Sequence, residues 1–369
     1  MTYLRTGLFL PVANHGWVMS TSAPEDPATF ALNLRLTQRA EAMGMDMVLC
    51  QSVWRGHGGS TRFWDDSLEG FTTAAALAGA TSRIAVVPSV MPLLYPPAVV
   101  AKMVATLDEI SAGRVAMNVV VGANLREYEQ MGVLPDDWPR IKYDYAAEWL
   151  TVVKRLWSEE RVTHHGRWFD LEDCACGPKP RQRPTPAVLC AGSSPAGMAF
   201  TSRHATHGFV GAPSAAATAE LARAYKAEAA SVGRQLEVHT VTMLVLAPTL
   251  AESEDRIAAL EAEPDLVAVR DCHGEYSRPV AGASLRRDVD DAPPVWFGRR
   301  PDPVTPELLV EQLHEMHEGG VDGILLSGAG WDLDLDIVER EVFPELRRRG
   351  ILAPLPGVPW GYRAQTIAG

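Results

Sequence analysis

Hydrophobic positions along this chain alternate between two periods. Residues 5–13 (RTGLFLPVA) form a short, nearly continuous apolar run of the kind carried by a strand buried on both faces, and residues 30–42 follow with apolar positions at helical spacing. The same exchange recurs, with strands predicted over 46–50, 84–90, 115–121, 187–191, 207–210, 237–246 and 323–326. Helices are predicted between them over 68–80, 96–112, 142–157, 215–230, 306–317 and 333–349, and the small-residue turn GSSPAG at 192–197 opens another. Pro96 and Pro97 suit a helix start, where a missing N–H costs nothing, and Gly113 suits its end. Pro88 would remove a ladder hydrogen bond in mid-sheet, so it belongs near the end of its strand, which puts Ser89 at the rim. Eight short buried strands alternating with helices, with no mid-chain linker, predict one (β/α)8 barrel over residues 1–369 rather than a doubly wound sheet. Residues 262–303 show no sustained period and read as an insertion with room for a short helix.

One residue breaks the VAMNVVV run of the fourth strand. Asn118 places an amide where strand alternation groups it with Ala116 and Val120, while Val115, Met117, Val119 and Val121 point the other way. An unpartnered amide there costs about 1–3 kcal/mol, so the fold or a ligand must satisfy it. The segments after the first two strands are long and polar, which favours a functional use. The second, QSVWRGHGGSTRFWDDS, gathers three glycines, two tryptophans and His57. In such barrels the site lies at the carboxyl ends of the strands, a rim shared by Gln51, Ser89, Asn118, the loop through Glu127 and the GSSPAG turn. Each of these residues also has an ordinary structural reading: Asn118 as a satisfied buried amide, Ser89 as a strand-end hydroxyl, Glu127 as a solvated side chain, Tyr143 as a packing residue and Ser194 as a helix cap.

Composition narrows the function by exclusion. A formal net charge of −12 disfavours a nucleic-acid partner. Five cysteines at scattered spacings fit a reduced, cytoplasmic chain better than a disulfide framework. Cys174-Ala175-Cys176 has the wrong spacing for a zinc knuckle and no second pair follows; His314 and His317, one turn apart in a Glu-rich helix, and His164-His165 read as solvated surface, so no metal is expected. No apolar run approaches the ~18 residues of a membrane span.

Several stretches carry a family likeness: PVANHGWVMSTSAP, RGHGGSTRFWDDSLEGF, TSRI, PPAVVAKMVATLDEISAGR, EYEQMG, KYDYAAEW, LCAGSSPAGMAF and GVDGILL. Together they resemble the bacterial luciferase-like flavin monooxygenases, most closely the branch that oxygenates pyrimidines and opens the uracil ring. The likeness covers most of residues 5–210 and is weak over 211–305. It implies a luciferase-like (β/α)8 TIM barrel and a small-molecule substrate. It also implies reduced FMN and O2 as cosubstrates, a flavin peroxide as oxygenating species, a separate NAD(P)H:flavin reductase and a homodimer or higher homo-oligomer. Carried over residue by residue, flavin contacts fall on Ser52, Val53, Asn118, Glu127, Tyr143 and Ser194, and the hydroxyl that positions oxygen on Ser89. Catalytic roles are expected for Asn118 and Ser89, with His57 as a substrate-site group. Val53 and Ala123 stand where the uracil branch carries a lysine and a tryptophan, so the likeness speaks for the oxygen chemistry more than for uracil, and for cyclic amides, imides or other nitrogen heterocycles as the substrate class. Two other chemistries fit the same barrel, hydride transfer with a reduced deazaflavin and a flavin-binding subunit without turnover.

Overall fold

The computed structural model describes residues 3–122, 124–192, 194–276 and 295–355. Its elements run β1 (Arg5–Leu10), α1 (Phe30–Ala42), β2 (Met47–Cys50), α2 (Gly70–Gly79), β3 (Ala85–Val90), α3 (Pro97–Ile110), β4 (Ala116–Val119), α4 (Leu125–Gln130), α5 (Trp138–Ser158), β5 (Val162–His165) and β6 (Asp170–Cys174). There follow β7 (Ala187–Ala191), α6 (Pro195–His204), β8 (His207–Val210), α7 (Ala215–Ser231), β9 (Glu237–Leu244), α8 (Leu250–Glu261), α9 (Leu266–Tyr276), α10 (Pro306–Glu318), β10 (Gly323–Gly328), α11 (Trp331–Ile337) and α12 (Phe343–Arg348).

Eight strands close into a parallel barrel in the order β1-β10-β9-β8-β7-β4-β3-β2, the (β/α)8 architecture that the alternating periods predict. Each strand splits its side chains between two cores. Met47, Leu49, Ala85, Val87, Ala116, Ala187, Leu189 and Leu325 pack inside the barrel with Phe9 and Phe209. The opposite positions, such as Val48, Val86, Met117 and Val188, join the larger core under the helices. Helix starts are fixed locally: Thr29, Ser194, Ser214 and Thr305 each accept an amide of the first turn, and Thr249 with Glu252 forms a reciprocal capping box. At the end of α3 the chain turns back through Ala112 and Gly113, both at positive φ.

Several elements depart from the periods read in sequence. The excursion before the fifth barrel strand contains an antiparallel hairpin, β5–β6, outside the barrel. Its turn is fastened to α5 by Glu148, whose carboxylate accepts the amides of Arg167, Trp168 and Phe169. The loop through Glu127 is a six-residue helix, α4. The final helix is broken into α11 and α12 by a π-helical turn at Val338–Val342. In the aperiodic 262–303 segment, whose residues 277–294 lie outside those described, the expected short helix is α9. Its described parts, 262–276 and 295–303, are stitched across the carboxyl end of the barrel: Thr21 N–H donates to the Glu263 carbonyl, Asp265 N–H to Met19, Met19 N–H to Val295 and Phe297 N–H to Trp17. Asp265 also accepts the Thr61 amide and hydroxyl at 2.7 and 2.8 Å, and a Cβ at Gly59 would fall within 2.6 Å of that carboxylate. A glycine at φ +79 is what lets the β2 loop pass beneath the segment.

Candidate active site

Strand register builds the first part of the site. Ser89 on β3 and Asn118 on β4 are paired residues of adjacent strands, and Asn118 Nδ2 donates to Ser89 Oγ at 2.9 Å. Alternation turns both toward the barrel interior, on the face of Val87 and Ala116. Both are buried, and Asn118 Oδ1 has no hydrogen-bond partner among the described residues. So half of the amide is satisfied by the fold, and the other half is left for something else. Gln51, one step beyond β2 on the same interior face, likewise has a buried Nε2 without a partner.

The β2 loop and α4 form a second group. Ser52 Oγ accepts the Trp54 indole N–H at 2.9 Å, Val53 is buried, and Glu127 Oε1 accepts the Trp54 amide at 2.7 Å. Glu127 thus reaches from the first turn of α4 to hold the backbone beside Ser52 and Val53. Burial pushes its carboxyl up to about 7, against the pull of the Trp54 and Arg55 amides. Because that value lies above the ordinary carboxylate range, the stability it contributes is full below about pH 4.5 and is lost as pH rises through 7. A rise from 4.5 to about 7 corresponds to about 3 kcal/mol. Glu127→Gln keeps an acceptor for the Trp54 amide, so its melting temperature should fall less between pH 5 and 8 than that of the parent; parallel melting curves in the two proteins would refute the assignment.

The third group is a cradle at the start of α6. Ser194 Oγ caps the helix by accepting Gly197 N–H at 3.1 Å and lies 3.4 Å from the Tyr143 hydroxyl. The Tyr225 hydroxyl donates to the Gly192 carbonyl. A Cβ at Gly197 would stand 2.7 Å from Tyr143 Oη and 2.8 Å from Gly192 Cα, so both glycines are needed for the approach. Amides of a helix N-terminus beside two hydroxyls make a phosphate-sized anion site.

His57 goes elsewhere. Its ring stacks on Phe63, and Nδ1 lies 3.0 Å from Asp271 of α9, which also pairs with Arg126 of α4. Burial lowers the His57 pKa against the upward pull of Asp271. Glu275 accepts the Leu125 amide at 2.9 Å, so α9 and α4 grip the β2 loop from two sides. Sequence reasoning missed Asp271, Glu275, Asp265 and Arg126; their partners lie far away in the chain, 214 positions apart for His57 and Asp271.

Across the barrel mouth, over β8–β10, a cavity of about 590 Å³ is lined by Phe9, Trp17, Val241, Met243, Phe297 and Ser327, among others. Apolar surface predominates in its lining, which includes the rings of Phe9, Trp17 and Phe297 beside the charged Arg299, Arg300, Asp302 and Glu315, and its size is ordinary for a small-molecule site. Strand alternation on β9 assigns Val241 and Met243 to the interior, a signal available in sequence once the barrel is assumed. Ala123 lies outside the described residues. No described helix is long and apolar enough to cross a membrane.

Comparison with known proteins bears on this geometry. A family model described as luciferase-like monooxygenase matches residues 4–323. Pyrimidine monooxygenase RutA of Serratia proteamaculans (strain 568) is 36% identical over 294 residues, 78% of this chain and 80% of that protein. RutA of Klebsiella variicola (strain At-22) is 33% identical over 360 residues, 95% of this chain and 99% of that protein. Among solved structures, riboflavin lyase RcaE superposes with a TM-score of 0.83 at 23% identity, covering 99% of this chain and 95% of that one, a likeness of fold. The sequence, the barrel and these relatives agree: the chain belongs to the luciferase-like monooxygenase family and is a flavin-dependent monooxygenase.

Proposed function

We propose that this protein is the oxygenating component of a two-component system. It takes reduced FMN from a separate NAD(P)H:flavin reductase and uses O2 to oxygenate a cyclic amide, imide or related nitrogen heterocycle, with oxidative ring or amide cleavage. The chain acts as one barrel unit, with residues 262–276 and 295–303 as a roof over its mouth. The observation that carries this reading is the Ser89–Asn118 pair at the carboxyl end of the barrel strands, with a buried amide oxygen left without a partner among the described residues.

The residues suit a flavin. The α6 amides, Ser194 and Tyr143 would hold the phosphate, and Gly192 and Gly197 leave it room. Asn118 Oδ1 would accept a ring N–H, and the backbone of 52–54, fixed by Glu127, would border the ring. When bound, reduced FMN supplies the electrons that activate O2. With Asn118 Nδ2 already donating to Ser89 Oγ, the Ser89 hydroxyl hydrogen is free to point at oxygen, where a pre-placed donor stabilises developing negative charge. Glu127, poised to hold or release a proton near neutral pH, holds the backbone of this loop through the Trp54 amide. His57 joins the site indirectly, through its contact with Asp271 of α9, which steadies the β2 loop. The cavity over β8–β10 would take the substrate, and its apolar surface with the rings of Phe9, Trp17 and Phe297 suits a flat heterocycle. The relatives named pyrimidine monooxygenase support the substrate class, while a buried Val53 in place of a lysine alters the pocket's charge.

The test is oxygen consumption with chemically reduced FMN across a panel of cyclic amides, imides and N-heterocycles. A substrate-dependent oxygenated product is expected, and a panel that yields only hydrogen peroxide would overturn the substrate class. Fluorescence titration should show FMN binding more tightly than a deazaflavin; the reverse order would overturn the cofactor.

A further inference from the structure

At the opposite end of the barrel from the candidate site, β8 and β9 begin with a cluster that the oxygenation chemistry does not use. His207 opens β8, and Glu237 and His239 open β9 two residues apart, so alternation turns both β9 side chains to one face. That is the interior face, since Phe209, two residues after His207, packs in the barrel's inner core. His207 Nε2 lies 3.3 Å and His239 Nε2 3.6 Å from the same Glu237 oxygen, and one donor atom from each of the three side chains falls within 4.8 Å of the others.

Two observations point to a ligand. First, His239 is fully buried, yet neither ring nitrogen has a hydrogen-bond partner among the described residues; an unsatisfied buried group of this kind is costly. The fold makes room for that ring, because a Cβ at Gly323 would stand 2.8 Å from it. Second, His207 has an outer partner of the kind that orients a ligating imidazole. Its Nδ1 is 2.7 Å from Thr206 Oγ1, a hydroxyl placed to donate to the Val188 carbonyl and to accept from the Val188 amide at 2.9 Å each. With the Thr206 proton given to Val188, Nδ1 of His207 donates to Thr206, and its Nε2 faces the Glu237 oxygen at 3.3 Å, where a metal ion would take the place of a shared proton.

We propose that His207, Glu237 and His239 form a divalent transition-metal site, with zinc as the matching ion, that ties β8 to β9 at the barrel floor. Two imidazoles and one carboxylate are a known zinc donor set, and ligands about 2.0–2.1 Å from a tetrahedral ion stand about 3.4 Å apart, close to the two separations to Glu237. The third edge, between the imidazole nitrogens, is at most 4.8 Å and closes on binding. Arg5 Nε donates to the same Glu237 oxygen at 3.1 Å, using one lone pair and fixing the carboxylate from outside the site, as outer partners of metal ligands do. The two histidines are sealed in, whereas the Glu237 side chain is 36% exposed, giving an ion a way in and a water the fourth position.

The experiment uses the full chain stripped with chelator and dialysed, then titrated with Co2+ and Zn2+. Saturable binding of one equivalent is expected, with the visible absorption of tetrahedral Co2+, displaced by Zn2+, and a Zn2+-dependent rise in melting temperature. His239→Gln, His207→Gln and Glu237→Gln, checked for folding by circular dichroism, should each weaken binding about 100-fold or more, while the surface pair His314→Gln/His317→Gln should leave it unchanged. Absence of stoichiometric binding, or binding that survives in any folded member of the first three, would overturn the site and leave a hydrogen-bonded imidazole–carboxylate cluster. None of these readouts depends on oxygenation.

Discussion

Replacing Asn118 by alanine is expected to leave the barrel folded and to lower kcat/KM for oxygenation about 100- to 1,000-fold, because the Ser89 hydroxyl loses the amide that turns its hydrogen toward oxygen, and a misdirected donor near developing charge costs about as much as one removed. The structural cost is small because the side chain is only half satisfied. The substitution breaks one hydrogen bond, to Ser89, and removes an amide oxygen that had no partner. A net cost of about 1 kcal/mol is the expectation for a single hydrogen bond of this kind, small enough for circular dichroism and gel filtration to look unchanged. Ser89→Ala removes that donor itself and should give a loss of the same order, and the double variant should fall short of the summed single effects, since each residue acts partly through the other. Unchanged turnover in a folded Asn118→Ala protein would remove the residue from the mechanism; a change confined to flavin affinity would reduce it to a binding group.

Gly197→Ala attacks the other end of the cofactor. The added methyl would meet Tyr143 Oη at 2.7 Å and Gly192 Cα at 2.8 Å. The tyrosine can swing away, but Gly192 is backbone held by Tyr225, so the first turn of α6 must shift. We expect reduced-FMN affinity to fall about 100-fold, near 2.7 kcal/mol, with most turnover recovered at saturating flavin. Ser194→Ala removes a cap worth about 1 kcal/mol and should weaken binding less. Equal affinities for the parent and Gly197→Ala would place the phosphate elsewhere.

The barrel was legible because its strands are buried on both faces and its helices are punctuated by proline, glycine and capping residues. Ser89 and Asn118 were legible for the same reason: a polar side chain in an apolar strand stands out, and alternation says which way it points. The β5–β6 hairpin was not, because its residues are mostly half-exposed or exposed and carry no clear alternation. Nor was α4, too short to show a period. The ties made by Asp265, Asp271 and Glu275 were hidden because ordinary charged residues acquire their meaning from partners supplied by distant parts of the chain, the Thr61, His57 and Leu125 segments. His207, Glu237 and His239 passed as ordinary strand-end residues until closure of the barrel brought β8 beside β9.

The register between Ser89 and Asn118 has a consequence for how such an enzyme diversifies. Their separation is set by neighbouring rungs of the sheet, so changing it means re-pairing two strands of a closed barrel. The wall across the mouth is of another kind, contributed in part by residues 211–216 and 297–302, which lie beyond strand ends. Lineages can rewrite that second wall one side chain at a time while inheriting the first intact, so descendants of this barrel can exchange substrates far more readily than they exchange reactions.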